Sequence, residues 1–301
     1  MGTNVRIIRR TLQKAYPEGV RRNLRYLDLG AQQLYGGSEE DYLEFFRWAG
    51  TSGGLADDEG PADRRSRPRR WRNAALRIGL LRPNAPQRHE PFQPVAIEEI
   101  AIDLAQRSRA DWETTGNGGP RASVAELFAP LGWEYQSIDL SGGTLALDLN
   151  HAVIPPPLAD HFDVVANYGT SEHVFNQSNC FKLVHDATRI GGTMIHFLPT
   201  AGYLYHCLYK YDPKFFLLLC QANDYEMLHG GFGSDEGAER VDERHRSWAN
   251  FEHISEYLFH SFIIEFAFRK SRPVPFAMPY DVVNTDLAIR HDFAQPCSSV
   301  R

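Results

Sequence analysis

Much that would place a protein outside the cell, in a membrane or on nucleic acid is missing from this chain. Its four cysteines, Cys180, Cys207, Cys220 and Cys297, form no C-x-x-C pair, so neither a disulfide framework nor a cysteine zinc clasp is expected. Free thiols in a reducing cytoplasm are the simplest reading. The opening MGTNVRIIRRTLQKAYP lacks the apolar core of a signal peptide. Met1-Gly2 invites myristoylation, but Arg6 stands where Ser or Thr is needed. No stretch approaches the roughly 18 uninterrupted apolar residues of a spanning helix, and no membrane partner is expected. A basic excess is missing too: 32 Lys and Arg face 38 Asp and Glu, a formal charge of -6, which gives no general pull toward nucleic acid.

What remains is a chain of 301 residues, long enough for one α/β domain carrying an insertion. LRYLDLG, residues 24–30, is an apolar run stopped by glycine, and SEEDYLEFFRWAG has helical spacing with Ser38 as N-cap. From 51 to 94 the chain is rich in Gly, Pro and Arg without sustained periodicity, which reads as a mobile stretch. Helical spacing returns over 95–112, the breaker TTGNGGP follows, and RASVAELFAPLG reads as a second helix. Residues 51–120 together form an insertion between the first and second strands of a single domain spanning 1–301.

The second half alternates strands and helices. WEYQSIDL ends in Asp139, TLALDLN ends in Asp148, FDVVANY reads as a buried strand, and GGTMIHFLP as another. SNCFKLVHDATRI and PKFFLLLCQANDY have helical spacing, and FIIEFAFRK alternates as an antiparallel partner for YEMLHGG. Strands alternating with helices predict a Rossmann-like, doubly wound, mostly parallel sheet with a C-terminal antiparallel strand. Ligands of such sheets bind beyond the carboxyl ends of the strands. Asp28 and Gly30 lie at one such end, and Asp139 at another, where ribose hydroxyls are held in these folds. One glycine at the first turn is less than G-x-G-x-x-G. The same pattern suits a Rossmann-like binding or scaffolding protein without catalysis, or another nucleotide-dependent enzyme.

YLDLGAQQ, AELFAPLGWEYQSIDL, LALDLN, FDVVANYGTSEHVFNQ, KLVHDATRIGGTMIHFLP and HCLYKYDPKFF, in that order, resemble bacterial class I S-adenosylmethionine-dependent methyltransferases. Within them, they resemble a subgroup with Leu-Gly-x-Gln in the first loop and Glu-His-Val-Phe-Asn after the fourth strand. The resemblance covers residues 23–33 and 121–223. It implies S-adenosylmethionine as cofactor, with Asp28 and Gly30 at its methionyl end, Gln32 among the residues that bind it, and Asp139 on the ribose hydroxyls. Asp148 would lie near the adenine amino group, and Asn167, Tyr168 and Gly169 beneath the sulfonium. A sulfonium favours carboxylates, carbonyl oxygens and aromatic faces. The implied activity is methyl transfer to a small-molecule acceptor in the cytoplasm, and a second copy of the chain is an admissible partner.

A hydroxyl acceptor must lose a proton, and a histidine suits that task. Four of twelve histidines are placed near the crevice: His173, His185, His196 and His206. His185 reads as a packed or surface group of a helix and His196 as a satisfied core residue of a strand. His206 lies on a loop with Tyr203, Tyr205, Tyr209 and Tyr211, which reads as an aromatic cover over the acceptor. The expected catalytic residues are therefore His206 or His173, with Glu172 orienting one of them. A helix starting after FDVVANY and capped by Thr170 or Ser171, with Glu172 complementing its dipole, accounts for the same residues without chemistry. The arginines from Arg64 to Arg72 read as a solvated loop. His245 and His253 match no metal-ligand spacing, and no metal is expected.

Overall fold

A computed structural model of the chain describes residues 2–20, 23–51, 97–108, 121–203, 205–234 and 262–281. The Arg-rich stretch expected to be mobile, the TTGNGGP breaker and the segment with His245 and His253 lie outside the described residues. Two compact units, Met1–Asp148 and Leu149–Arg301, are taken in turn.

In the first unit the elements run β1 (Gly2–Thr3), α1 (Val5–Ala15), β2 (Arg25–Leu29), β3 (Gln33–Leu34), α2 (Glu39–Thr51), α3 (Ile97–Ser108), α4 (Val124–Phe128), β4 (Glu134–Asp139) and β5 (Leu145–Ala146). Helix α1, unforeseen in the sequence, starts where the Asn4 side chain accepts the Arg6 N–H, and it buries Val5, Ile7, Ile8 and Leu12. Ser38 does cap α2: its hydroxyl accepts from the Asp41 N–H while the Asp41 carboxylate takes both the N–H and O–H of Ser38. Helix α3 lies inside the expected 95–112. Helix α4 is shorter than RASVAELFAPLG suggested. It opens on a capping box between Ser123 and Glu126 and yields, at Pro130, to a 3-10 turn closed by left-handed Gly132.

Strands β2 and β4 are parallel, Arg25 opposite Glu134 through Leu29 opposite Ile138. Strand β5 runs parallel on the other side of β4. Under them packs an aromatic cluster in which Phe128 meets Tyr26 at 4.7 Å and Trp133 at 4.8 Å between ring centroids. Full burial of such a ring contributes about 1.5–3 kcal/mol, which fixes the short α4 on the sheet.

The second unit runs β6 (Phe162–Tyr168), a 3-10 turn (Ser171–His173), α5 (Gln177–Ala187), β7 (Thr188–Ala201), α6 (Pro213–Ala222), β8 (Glu226–Ser234) and β9 (Phe262–Arg269). Every residue of β6 is buried, the expectation for a strand covered on both faces. It pairs in parallel with β7, and β9 is antiparallel to both β7 and β8, between them. Seven strands, mostly parallel with a C-terminal antiparallel strand and helices in the connections, make the fold the Rossmann-like α/β class that the alternation predicts.

Two local expectations need correction. The helix read over SNCFKLVHDATRI ends at Ala187, and β7 already begins at Thr188, because β-branched Thr188 and Ile190 suit a strand and the Thr188 hydroxyl closes the helix on Val184 O. Glu172 and His173 do not open a helix. They sit in the 3-10 turn, where the Thr170 side chain makes no cap, and the N-cap of α5 is Asn176, accepting from Asn179 N–H. Among the described residues no helix is long and apolar enough to cross a membrane.

Candidate functional site

At the carboxyl ends of β2 and β4 the first loop turns through Gly30, at φ +81°, a conformation open to glycine at little cost. The Gly30 N–H donates to Ile138 O at 2.7 Å, continuing the β2–β4 ladder by one residue. Asp139 then joins two loops with one carboxylate: Oδ2 accepts the Ala31 N–H at 2.9 Å and Oδ1 the Ser141 N–H at 3.0 Å. The turn after it depends on glycine, since a Cβ on Gly143 would lie 2.6 Å from the Asp139 nitrogen. Thr144 clamps its far side, its hydroxyl accepting the Ser137 N–H at 2.8 Å and donating to Ser137 O at 3.1 Å. Asp139 keeps acceptor capacity beyond these two bonds, because a carboxylate offers about four lone-pair positions.

Asp28 lies deeper than its place before the loop implied. It is fully buried, and Oδ2 accepts the Tyr135 O–H at 2.8 Å, while Oδ1 meets no hydrogen-bond donor among the described residues. Burial pushes its carboxyl well above the usual carboxylate range, against the opposing Tyr135 bond. Gln32 is also buried, its Nε2 donating to Leu29 O at 3.1 Å. Asp148 falls two residues past β5 rather than at its end, half-buried. Tyr135 and the Ser-Gly-Gly turn after Asp139 escaped sequence reasoning. An acid shortly before S-G-G at a strand end was the available signal for the latter; for Tyr135 only its place two residues before Ser137, the residue opposite Asp28, and so on the same face of the sheet, would have served.

In the second unit the end of β6 is organised by Asn167, fully buried. Its Oδ1 accepts the Ser171 N–H at 3.1 Å and its Nδ2 donates to the Ser171 hydroxyl at 2.8 Å. Tyr211 donates its proton to Gln177 Oε1 at 2.6 Å. With Tyr211 so committed, the Ser171 O–H donates to the Tyr211 oxygen, 2.8 Å away, and Gln177 Nε2 closes the circuit on Ser171 O at 2.7 Å. Each hydroxyl donates once and accepts once, so the chain has one direction. Burial raises the Tyr211 phenol far above its ordinary value, which keeps it a donor. Tyr168, next to Gly169 in the chain, is buried with its ring 6.1 Å from that of Phe197.

This network sets the turn that carries Glu172 and His173. Gly169 is left-handed at φ +66°, and a Cβ there would stand 3.3 Å from Glu172 Oε1, so the glycine leaves room for the carboxylate. Glu172 is 1% exposed. Its carbonyl accepts the N–H groups of both Leu208 and Tyr209, at 3.0 and 3.1 Å, which ties the loop of His206 to the turn. His173 Nε2 lies 4.0 Å from Glu172 Oε1, and the His173 and His206 rings are 5.2 Å apart. Partial burial and the neighbouring His206 lower the His173 imidazole from its ordinary value. Cys207, read in the sequence only as a free thiol, feels the same carboxylate: burial first, then Glu172, raise its thiol.

The other two histidines are placed as expected. His185 is packed, Nδ1 2.7 Å from the Tyr225 hydroxyl and Nε2 2.9 Å from Val274 O. His196 is a core residue held down to about 3 by burial, hence neutral. Of the loop tyrosines, Tyr211 is interior, while Tyr205 is fully exposed, as are Phe175 and Leu208 in large part.

No protein-family model matches the chain, and no curated protein matches it in sequence. Solved structures align with it in part. A protein of Bacillus halodurans assigned as a methyltransferase is 14% identical, with 52% of this chain and 89% of that chain covered and a TM-score of 0.36. Phosphoethanolamine N-methyltransferase 2 of Haemonchus contortus, in complex with S-adenosyl-L-methionine, is 12% identical over 50% of this chain and 46% of that chain, TM-score 0.35. An S-adenosylmethionine-dependent methyltransferase of Mesorhizobium loti is 14% identical over 82% of this chain and 91% of that chain, TM-score 0.32.

Proposed function

We propose that the chain transfers a methyl group from S-adenosylmethionine to a hydroxyl of a small-molecule acceptor. The observation that carries the reading is Asp139: a carboxylate at the carboxyl end of a parallel strand, held by two backbone N–H groups beside a left-handed glycine turn, with acceptor positions to spare. The cofactor fits the residues present. Two ribose hydroxyls can donate to Asp139, and the buried Oδ1 of Asp28, unpartnered among the described residues, would accept from an ammonium at the methionyl end, near Gly30, once that cation draws the proton off the carboxyl. Asp148 is assigned to the adenine amino group, and Asn167, Tyr168 and Gly169 to the sulfonium.

On the acceptor side the reading assigns Glu172, His173 and His206. When bound, the cofactor would supply an electrophilic methyl group on a cationic sulfur, which would leave as a neutral thioether with the bonding electron pair. The new bond forms to the acceptor oxygen, whose proton passes to His173 or His206. Neutral imidazole is the form that can take it, and the depressed His173 favours that form. Exposed Phe175, Tyr205 and Leu208 suit an acceptor with an apolar body.

Titration of the full chain with S-adenosylmethionine and with its demethylated product, followed by thermal shift, tests this. Saturable stabilisation by either supports the reading, and no shift with either in folded protein overturns it. Asp139→Ala should weaken the cofactor about ten- to a hundredfold. Asp139→Asn, which keeps an acceptor for one of the two backbone N–H groups, should lose less.

A further inference from the structure

Glu172, His173 and His206 each present one ligand atom, and the three atoms lie within 4.8 Å of one another. We infer that these three side chains bind one divalent transition-metal ion, although the sequence led us to expect none. Two imidazole nitrogens and one carboxylate oxygen form a borderline donor set that suits Zn²⁺, Fe²⁺ or Co²⁺ rather than Mg²⁺ or Ca²⁺, which favour oxygen throughout. Three protein ligands leave a position open to a substrate oxygen, the pattern of a catalytic rather than a structural metal site.

The backbone is arranged for it. Glu172 and His173 are consecutive in a turn fixed by Asn167, Ser171 and Tyr211. His206 arrives on the neighbouring loop, bound to the Glu172 carbonyl through Leu208 and Tyr209 two and three residues further on. Neither attachment uses the ligand atoms. Drawing those atoms to the separation of about 3.3 Å that tetrahedral Zn²⁺ requires needs side-chain rotation only, and His206 is exposed and His173 partly so.

The inference rests on the proposed acceptor hydroxyl and changes how its proton is lost. With both imidazoles engaged as ligands, the hydroxyl meets the cation, and its pKa falls as that of metal-bound water does. The O–H proton goes to solvent, and the oxygen takes the methyl group as sulfur takes the electron pair.

The test uses the full chain, dialysed against chelator and then titrated with Zn²⁺ by calorimetry and with Co²⁺ by visible absorption. One equivalent at about 1 μM affinity or tighter is expected. His173→Ala, His206→Ala and Glu172→Gln should each weaken it about tenfold or more, while circular dichroism stays native. Absence of stoichiometric binding, or variants that bind as the parent does, overturns the inference. The cofactor titration is run on the same samples: stabilisation by S-adenosylmethionine without Zn²⁺ binding removes the metal and leaves the methyltransferase reading with its histidine base. Zn²⁺ binding lost in the three variants, without any cofactor effect, supports the metal site and removes the methyltransferase reading.

Discussion

Asp28 and His196 are both shut away from water, and burial moves them in opposite directions. The folded chain holds the Asp28 proton above the 3.8 at which an ordinary carboxyl releases it. Its contribution to stability is therefore complete below 3.8 and is lost as pH rises through the folded value. Asp28→Asn keeps an acceptor for Tyr135 and has no proton to lose. It should raise the melting temperature at neutral pH, each kcal/mol being worth about 2–4 °C in a domain of this size, and a melting temperature at or below the parent's would contradict this. For His196 the sign reverses. Its folded value is about 3 against 6.5 ordinarily, so its contribution is present above 6.5 and is lost as pH falls toward 3, at up to about 1.4 kcal/mol per pH unit. His196→Phe, set among Phe181, Phe216 and Phe268, should flatten the fall in stability between 6.5 and about 4 in denaturant titrations; an unchanged slope would place that fall elsewhere.

The turn of Ser171–His173 is the element on which both functional proposals converge, and its stability hangs on a hydroxyl forty residues away in sequence. Tyr211→Phe removes the link between Ser171 and Gln177 and should cost about 1–2 kcal/mol. Hydrogen exchange should quicken at Val174, whose N–H closes the turn on Ser171 O. Equal exchange in parent and variant would show that Asn167 suffices alone. This element also marks where sequence reading stops. Strand β2 was legible as an apolar run stopped by Gly30, β6 as an apolar segment interrupted only by Asp163 and Asn167, and α2 because Ser38 announces it, whereas β4, EYQSID, carries few apolar residues. The Ser-Glu-His turn was mistaken for a helix start because its cause is Asn167, a strand residue that captures the N–H four positions on. Propensity does not record such a capture. Helix α1 carries its amphipathic spacing in Val5, Ile8 and Leu12.

At the scale of the molecule, the candidate site was readable where chemistry coincides with strand ends. Gly30 and Asp139 lie at strand ends, where the alternation of elements puts them, whereas Glu172 and His173, expected at a helix start, lie in a 3-10 turn. The depth of Asp28 and the company kept by His206 depend on packing across strands and loops that no local pattern encodes. One arrangement in the sheet bears on how the chain comes to be folded. The last strand in sequence, β9, lies between β7 and β8 and supplies the pairing for both. During synthesis β7 and β8 therefore emerge before the strand that joins them, each with an unpaired edge inviting association with other chains. A chain ended before Phe262 should remain in that condition and pellet as aggregate, whereas one carried through Arg269 should stay dispersed, as sedimentation of the two truncates would reveal. The residues between Ser234 and Phe262 thus set a waiting time on the ribosome, and the cell's chaperones would meet this protein chiefly during that interval.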